Sequence, residues 1–302
     1  MRFALRAAAL LLVAACLAGG RPAPAPARAG PGEPPYPAAS PAFTETRLAF
    51  LLPGPAGPLV LEIAAIAPAG AAADPAALAA ILLAANPGAV PLAPREASAA
   101  YVLGDERGGV RWRVPVVPWR YNPANATPFL DPKAALEAVS LGADGWRFAG
   151  GTPVQFVYDG ETATPTGCRG DPRVTGYAPD GENVVGWGPI PGGYLGYACW
   201  VSSPFLVQGT PFFELVEFDI VLRPDFQYTP ELLRALALHE FGHALGLGHS
   251  DRCPGAAMCG GPASLDNIEP QADDIAGLIA LYGRAGPAPL PPRALLPLVA
   301  RD

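Results

Sequence analysis

The sequence predicts an α/β (α+β) fold for the larger part of the chain, and three observations support this. Segments 110–118 and 154–158 have the alternating or continuously apolar pattern of strands. Asp131-Pro132 supplies an N-cap and a first-turn proline for a long helix that ends near Phe148. Thr229-Pro230-Glu231 begins a second helix in the same way, and its apolar residues lie nearly all round, as in a helix buried in a core.

Three further strands are predicted between these two helices, at 183–187, 195–202 and 214–222. The predicted order is therefore a strand, a long helix, several strands and a buried helix. We place this domain at residues 101–284.

Residues 43–100 precede this domain and differ from it in character. Segments 47–52 and 59–66 are predicted strands joined by a Pro/Gly turn, and Asp74-Pro75 begins a helix that ends near Asn86. The region contains neither cysteine nor histidine. Two interpretations remain open, a removable propeptide and an accessory subdomain.

The two ends of the chain are predicted to lie outside the folded part. Residues 1–20 combine a basic start with a short apolar run, which is typical of a secretory signal. The sequence around Cys16 also resembles a lipobox, so lipidation of Cys16 and ordinary signal cleavage both fit, and a cysteine at this position favours the first. Residues 21–42 form a Pro/Ala-rich linker and residues 285–302 a Pro-rich tail. We therefore expect an exported protein that is either secreted or a cell-surface or periplasmic lipoprotein.

Composition limits the classes of partner that the protein can bind and indicates the redox state of its cysteines. The net charge is −7 with no basic stripe, which argues against nucleic acid as a partner, and we expect a monomer. Four cysteines remain once Cys16 is set aside, and an even number in an exported protein indicates disulfides. Cys253 and Cys259 flank one short loop, so we pair them with each other and Cys168 with Cys199.

The segment HEFGHALGLGH, residues 239–249, contains all three histidines of the chain. Residues four apart share one face of a helix, so His239 and His243 can bind one metal ion together. Gly246 can take positive φ and turn the chain back, which would bring His249 in as a third nitrogen ligand. Three imidazoles with one open position are typical of a catalytic zinc site, and Glu240 is then free to hold a water molecule.

This motif resembles the H-E-x-x-H-x-x-G-x-x-H signature of metzincin metalloproteases, and the order of elements resembles their matrixin branch. Ala257-Met258-Cys259 lies where the family has its Met-turn, and Met258 would support the floor of the site. Residues 273–283 resemble the family's C-terminal helix. The chain departs from the family at Cys259, which replaces a tyrosine of some metzincins. It also lacks histidines for a second, structural zinc.

The resemblance implies a metzincin/zincin-like catalytic domain. Its twisted, mostly parallel five-stranded sheet would carry a long helix, the active-site helix and a small C-terminal subdomain. The strand at 195–202 would be an exposed edge that takes an extended peptide as an added strand.

The function that we predict is an exported zinc-dependent endopeptidase acting on protein or peptide substrates. His239, His243 and His249 hold one Zn²⁺, and Glu240 activates a zinc-bound water for attack on the peptide bond. Calcium could bind among loop carboxylates, although these form no EF-hand spacing: Asp159, Glu161, Asp171, Asp180 and Glu182. Two alternatives are a binding module with a vestigial zinc site and a zinc hydrolase of a non-peptide bond.

Overall fold

The computed structural model describes residues 43–55, 57–68, 70–92, 109–169, 178–250, 255–259 and 264–285. The predicted signal segment, the linker, Cys16, Cys253 and the Pro-rich tail from residue 286 onward lie outside these ranges. Among the described residues, no helix has the length and apolarity needed to cross a membrane.

Within the described ranges, nine strands form one mixed sheet. Their bounds are β1 Phe43–Gly54, β2 Gly57–Pro68, β3 Val90–Pro91, β4 Val110–Arg111, β5 Val116–Asn122, β6 Gln155–Glu161, β7 Val184–Trp187, β8 Gly196–Leu206 and β9 Phe213–Leu222. The order across the sheet is β3-β1-β2-β8-β9-β7-β5-β6, and β4 pairs with the start of β9.

In the part of the chain that the structure describes, four α-helices accompany the sheet: α1 Pro75–Ala85, α2 Pro132–Gly145, α3 Pro230–Ala244 and α4 Ala272–Tyr282. Short 3-10 turns lie at Ala149–Gly151 and Ser264–Asp266. The predicted start signals are confirmed. The Asp131 carboxylate accepts the amides of Lys133 and Ala134, and the Thr229 hydroxyl accepts the amide of Leu232.

The predicted α/β sheet with two packed helices is confirmed. Strands β7, β5 and β6 run parallel to β9, and β8 is antiparallel to it, which gives the five-stranded core that was expected. The single strand predicted at 110–118 is two strands, β4 and β5. Pro115, which has no N–H to donate to a ladder, lies in the break between them.

Helices α2 and α3 pack closely on one face of the sheet. An added Cβ at Gly142 would lie 2.7 Å from the backbone nitrogen of Leu238, so only glycine permits this approach. The Trp146 indole N–H donates to the Leu238 carbonyl at 2.7 Å. Together these contacts fix α3, the helix with the histidines, against the rest of the domain.

The N-terminal strands extend the sheet beyond the predicted five. β1 and β2 form a hairpin, β3 pairs with β1, and β2 pairs with β8. Helix α1 covers this part of the sheet on the face opposite α3, where Leu78 and Leu82 pack with Leu61 and Ile63. The strands within residues 43–92 therefore belong to the same sheet as the strands of the domain that follows.

The prediction that 195–202 is an exposed edge is wrong. Residues Val60–Ile66 of β2 pair with residues Gly196–Ser202 of β8 along the edge that was expected to be free. Burial on both faces of β2 favours this pairing, because most of its side chains are withdrawn from water.

Candidate metal centre

Helix α3 positions the first two histidines, and a turn after it positions the third. His239 and His243 lie one helical turn apart, with their Nε2 atoms 3.1 Å from each other. Gly246 has φ of +92°, as expected for the residue that turns the chain, and it brings His249 back towards the helix. The Nε2 atom of His249 lies 2.9 Å from that of each of the other two histidines.

Hydrogen bonds fix the tautomer of two of these rings. Nδ1 of His239 donates to the carbonyl of Ala257 at 2.8 Å, and Nδ1 of His243 donates to the carbonyl of Leu247 at 2.9 Å. Each Nε2 atom then carries a lone pair. Burial lowers the pKa of His239 to about 4, that of His249 to about 3 and that of His243 well below its ordinary value. All three rings are therefore neutral at pH 7.

The donor set fits a divalent zinc ion. The Nε2 lone pairs of His239 and His243 face each other, and the Nε2 atom of His249 lies 2.9 Å from both, so a cation between the three rings relieves the repulsion of the facing lone pairs. Zinc–nitrogen bonds of about 2.0–2.1 Å in a tetrahedral site separate the nitrogens by about 3.3 Å, which is close to the separations found here. Imidazole nitrogen is a preferred zinc ligand, and two of the three rings have the outer hydrogen bond that zinc-binding histidines usually make.

Glu240 follows the first histidine and is 1 % exposed. Neither of its carboxyl oxygens has a hydrogen-bond partner of normal geometry among the described residues. Burial raises the pKa of Glu240 well above its ordinary value, and the Ala198 amide opposes this only in part. A buried carboxyl group without a strong partner is suited to hold a water molecule and exchange a proton with it.

Met258 lies beneath α3, as expected from its position after the motif. It is 1 % exposed, and its sulfur would be 2.2 Å from a Cβ placed on Gly242, so the methionine packs directly against the backbone of that residue. The carbonyl of Met258 accepts the amide of Ser250, which ties this turn to the segment that carries His249.

Asp274 and Trp200 also support the site, although neither role is predicted from the sequence. The Asp274 carboxylate accepts the amides of Ala257 and Met258, and so fixes the turn whose carbonyl holds His239. The Trp200 ring stacks on His243, with a 5.6 Å separation of ring centroids and 16° between the planes. The acidic pair in the first turn of α4 signalled Asp274, whereas nothing in the local sequence distinguished Trp200 from a core residue.

The remaining cysteine and carboxylate predictions have different outcomes. Cys168 and Cys199 form a disulfide, as predicted, with their Cα atoms 6.0 Å apart. Cys259 is also disulfide-bonded, but its predicted partner Cys253 lies outside the described residues.

The carboxylates predicted for calcium do not form a metal cluster within the described ranges, where Asp159 instead binds Arg120 at 3.0 Å. Asp171 lies outside those ranges, and calcium binding stays a prediction.

Comparison with known proteins agrees with the geometry. Residues 223–283, which span α3, the three histidines, Met258 and α4, match the peptidase family described as Matrixin. No curated protein matches the chain. The α/β fold, the three-histidine centre and the match of this segment together support a matrixin-like metzincin. The site and the similarity of residues 223–283 to this peptidase family support a zinc metallopeptidase.

Proposed function

We propose that this protein is an exported endopeptidase in which Glu240 is the general base and acid. The observation that carries the proposal is the convergence of three neutral Nε2 atoms within 3.1 Å of one another, with Glu240 on the same helix. When bound there, zinc supplies a Lewis acid that polarises the substrate carbonyl and lowers the pKa of water towards 7.

The steps assigned to the protein's own residues involve one proton. Glu240 accepts it from water as the water oxygen forms a bond to the carbonyl carbon of the substrate. Glu240 then donates it to the amide nitrogen as the carbon–nitrogen bond breaks, which leaves a carboxylic acid and an amine. A neighbouring dication favours the ionised carboxylate, so occupancy of the three histidines by metal prepares Glu240 to act as a base.

Metal analysis tests the assignment of the centre. We expect about one zinc per chain, because the histidines form one site and the cysteines are assigned to disulfides. A chelator should abolish cleavage of denatured casein, and added zinc should restore it. The chelated protein should keep its far-ultraviolet circular dichroism, because the sheet and helices bury their own core. A reproducible value near two zinc ions, or loss of the fold on chelation, would contradict this arrangement.

The proposal of export is supported by two features. The basic and apolar start of the chain is typical of a secretory signal, and the Cys168–Cys199 disulfide is of a kind that persists in oxidising compartments. Expressed in a bacterial host, the protein should leave the cytoplasm. If Cys16 is lipidated, the natural chain should partition into detergent and the Cys16→Ser variant into the aqueous phase. Partition of both into the aqueous phase would favour ordinary signal cleavage, and retention of both in the cytoplasm would contradict export.

A further inference from the structure

Trp200 of β8 lies with its ring against His243, the second histidine of the centre. The side chain is 1 % exposed, its ring centroid lies 5.6 Å from that of His243, and the two planes are 16° apart. Nearly parallel rings at this separation are offset from each other, which is a stacked arrangement that aromatic pairs prefer. One face of His243 is therefore covered by an electron-rich indole.

The position of Trp200 follows from the alternation of side chains along β8. Residues two apart in a strand face the same side of the sheet, and Ala198 and Trp200 both belong to the buried cluster that contains α3. The small residue Ala198 lies beside Glu240, and the large ring of Trp200 fills the space over His243. The strand thus places a broad aromatic surface at one histidine and leaves the carboxyl group of Glu240 uncrowded.

The indole ring is itself held in a fixed orientation. Its N–H donates to the Glu62 carboxylate at 2.9 Å. The backbone of Trp200 is paired with that of Glu62 on one side and with that of Phe218 on the other. Because both the ring and its backbone are held, Trp200 presents a rigid surface to His243.

His243 is fixed by two contacts of different kinds. The hydrogen bond from its Nδ1 to the Leu247 carbonyl fixes the tautomer and the direction in which Nε2 points. The indole face of Trp200 restricts tilting of the ring out of its plane, which a single hydrogen bond does not prevent. Loss of that face would let Nε2 of His243 leave the point at which the three histidines converge.

We propose that Trp200 is a positioning residue that acts through His243 and determines how tightly, and for how long, the centre retains zinc. The proposal rests on the zinc chemistry of the proposed function. It does not depend on which bond the protein hydrolyses.

Metal binding and the stack reinforce each other. An imidazole ring that donates its lone pair to a cation becomes poorer in electrons, and the negative face of an indole attracts such a ring more strongly than an unbound one. By linkage, a contact that is stronger in the metal-bound protein raises the affinity for the metal. Outer partners of metal-binding histidines contribute about 10–100-fold to metal affinity, and we expect Trp200 to lie at the lower end of this range.

Three variants of the full chain separate stacking from packing. Trp200→Leu removes the aromatic face, Trp200→Phe keeps a smaller aromatic face without the indole N–H, and Trp187→Leu is the matched control. Trp187 is also buried and its indole N–H donates to the Tyr121 hydroxyl at 2.6 Å, but its ring packs on Tyr228 and not on a histidine. Competition with a chelator of known affinity measures zinc binding, and transfer to an excess of that chelator measures zinc release.

Trp200→Leu should bind zinc about tenfold or more weakly than the natural chain and release it correspondingly faster. Trp200→Phe should stay within about threefold of the natural chain, because a ring that can stack is kept. Trp187→Leu should lower Tm without changing either zinc parameter. Natural zinc affinity and release in Trp200→Leu, or an equal loss in Trp187→Leu, would show that Trp200 acts only as core packing and would overturn the proposal.

Cobalt(II) in place of zinc provides a signature that core packing alone does not change. Its visible absorption bands report the geometry of the nitrogen ligands. The bands should therefore shift in Trp200→Leu and keep their natural positions in Trp200→Phe and Trp187→Leu. Natural bands in Trp200→Leu would contradict a role of Trp200 in positioning His243.

Tryptophan fluorescence gives a measurement that does not depend on the stability of the leucine variant. Cobalt(II) quenches tryptophans that lie close to it, and Trp200 is in ring contact with a ligand. Emission of the natural chain should fall by a larger amount on cobalt binding than emission of Trp200→Phe. An equal fall in both would place the Trp200 ring away from the metal-bound centre and would overturn the proposal.

The metal measurements separate this proposal from the peptidase assignment. If the natural chain binds zinc but does not cleave casein, the peptidase assignment fails, and the zinc affinities of the variants still decide the role of Trp200. If the natural chain binds no zinc, the metal centre and the role of Trp200 both fail.

Discussion

The Glu240→Gln variant should cleave denatured casein at least ~100-fold more slowly than the natural chain, the scale expected for loss of a general base. The amide has nearly the size of the carboxyl group but cannot accept a proton from water. Because the converging atoms are the three Nε2 nitrogens and Glu240 is not one of the ligands, zinc content should not change. Initial rates and metal analysis on the same zinc-loaded preparation provide the measurement.

The matched control is Glu231→Gln, which makes the same chemical change in the first turn of the same helix at an exposed position. It should keep the natural rate of cleavage. A Glu240→Gln chain that cleaves casein at the natural rate would show that another group takes the proton. A chain that loses both activity and zinc would assign Glu240 to the integrity of the metal centre instead.

The metal centre could be predicted from the sequence because its three ligands lie close together in the chain. Two ligands share one helical face, and one glycine turn brings in the third, so three residues within eleven positions define the site. The helix starts at Asp131 and Thr229 were equally local, since each residue satisfies amides only two or three positions further on.

The pairing of β2 with β8 could not be predicted in this way. Alternation and β-branched residues identify a strand, but a strand buried on both faces fits several neighbours equally well. Val60 and Ser202 are separated by more than a hundred residues, and their pairing depends on how α1 and α3 cover the opposite faces of the sheet. The acidic pair in the first turn of α4 marks Asp274 as a helix-start residue, but its bonds to the amides of Ala257 and Met258, 17 and 16 residues away, depend on the tertiary fold.

Gly246→Ala should destabilise the fold and weaken zinc binding more than Gly209→Ala, which adds the same methyl group in open space. The residue has φ of +92°, where a side chain adds strain of about 1–3 kcal/mol. An added Cβ would also lie 2.2 Å from the carbonyl oxygen of Val110, a backbone atom of β4 that cannot move without disturbing its pairing with β9.

Strain and overpacking together should cost roughly 3 kcal/mol or more, which corresponds to a fall in Tm of about 10 °C for a domain of this size. Because the same turn delivers His249, we also expect zinc affinity to fall by about tenfold or more, as when a group that orients a ligand is lost. Thermal unfolding and competition with a zinc chelator of known affinity measure the two effects separately.

The control Gly209→Ala places the same methyl group at a similar φ of +78°, where an added Cβ meets nothing within 4 Å. It should cost only the conformational strain, on the order of 1 kcal/mol, and leave zinc affinity unchanged. If Gly246→Ala has the same Tm and the same zinc affinity as Gly209→Ala, the backbone of β4 shifts to accommodate the added methyl group. In that case the close contact of Gly246 with Val110 does not hold His249 in its place among the ligands.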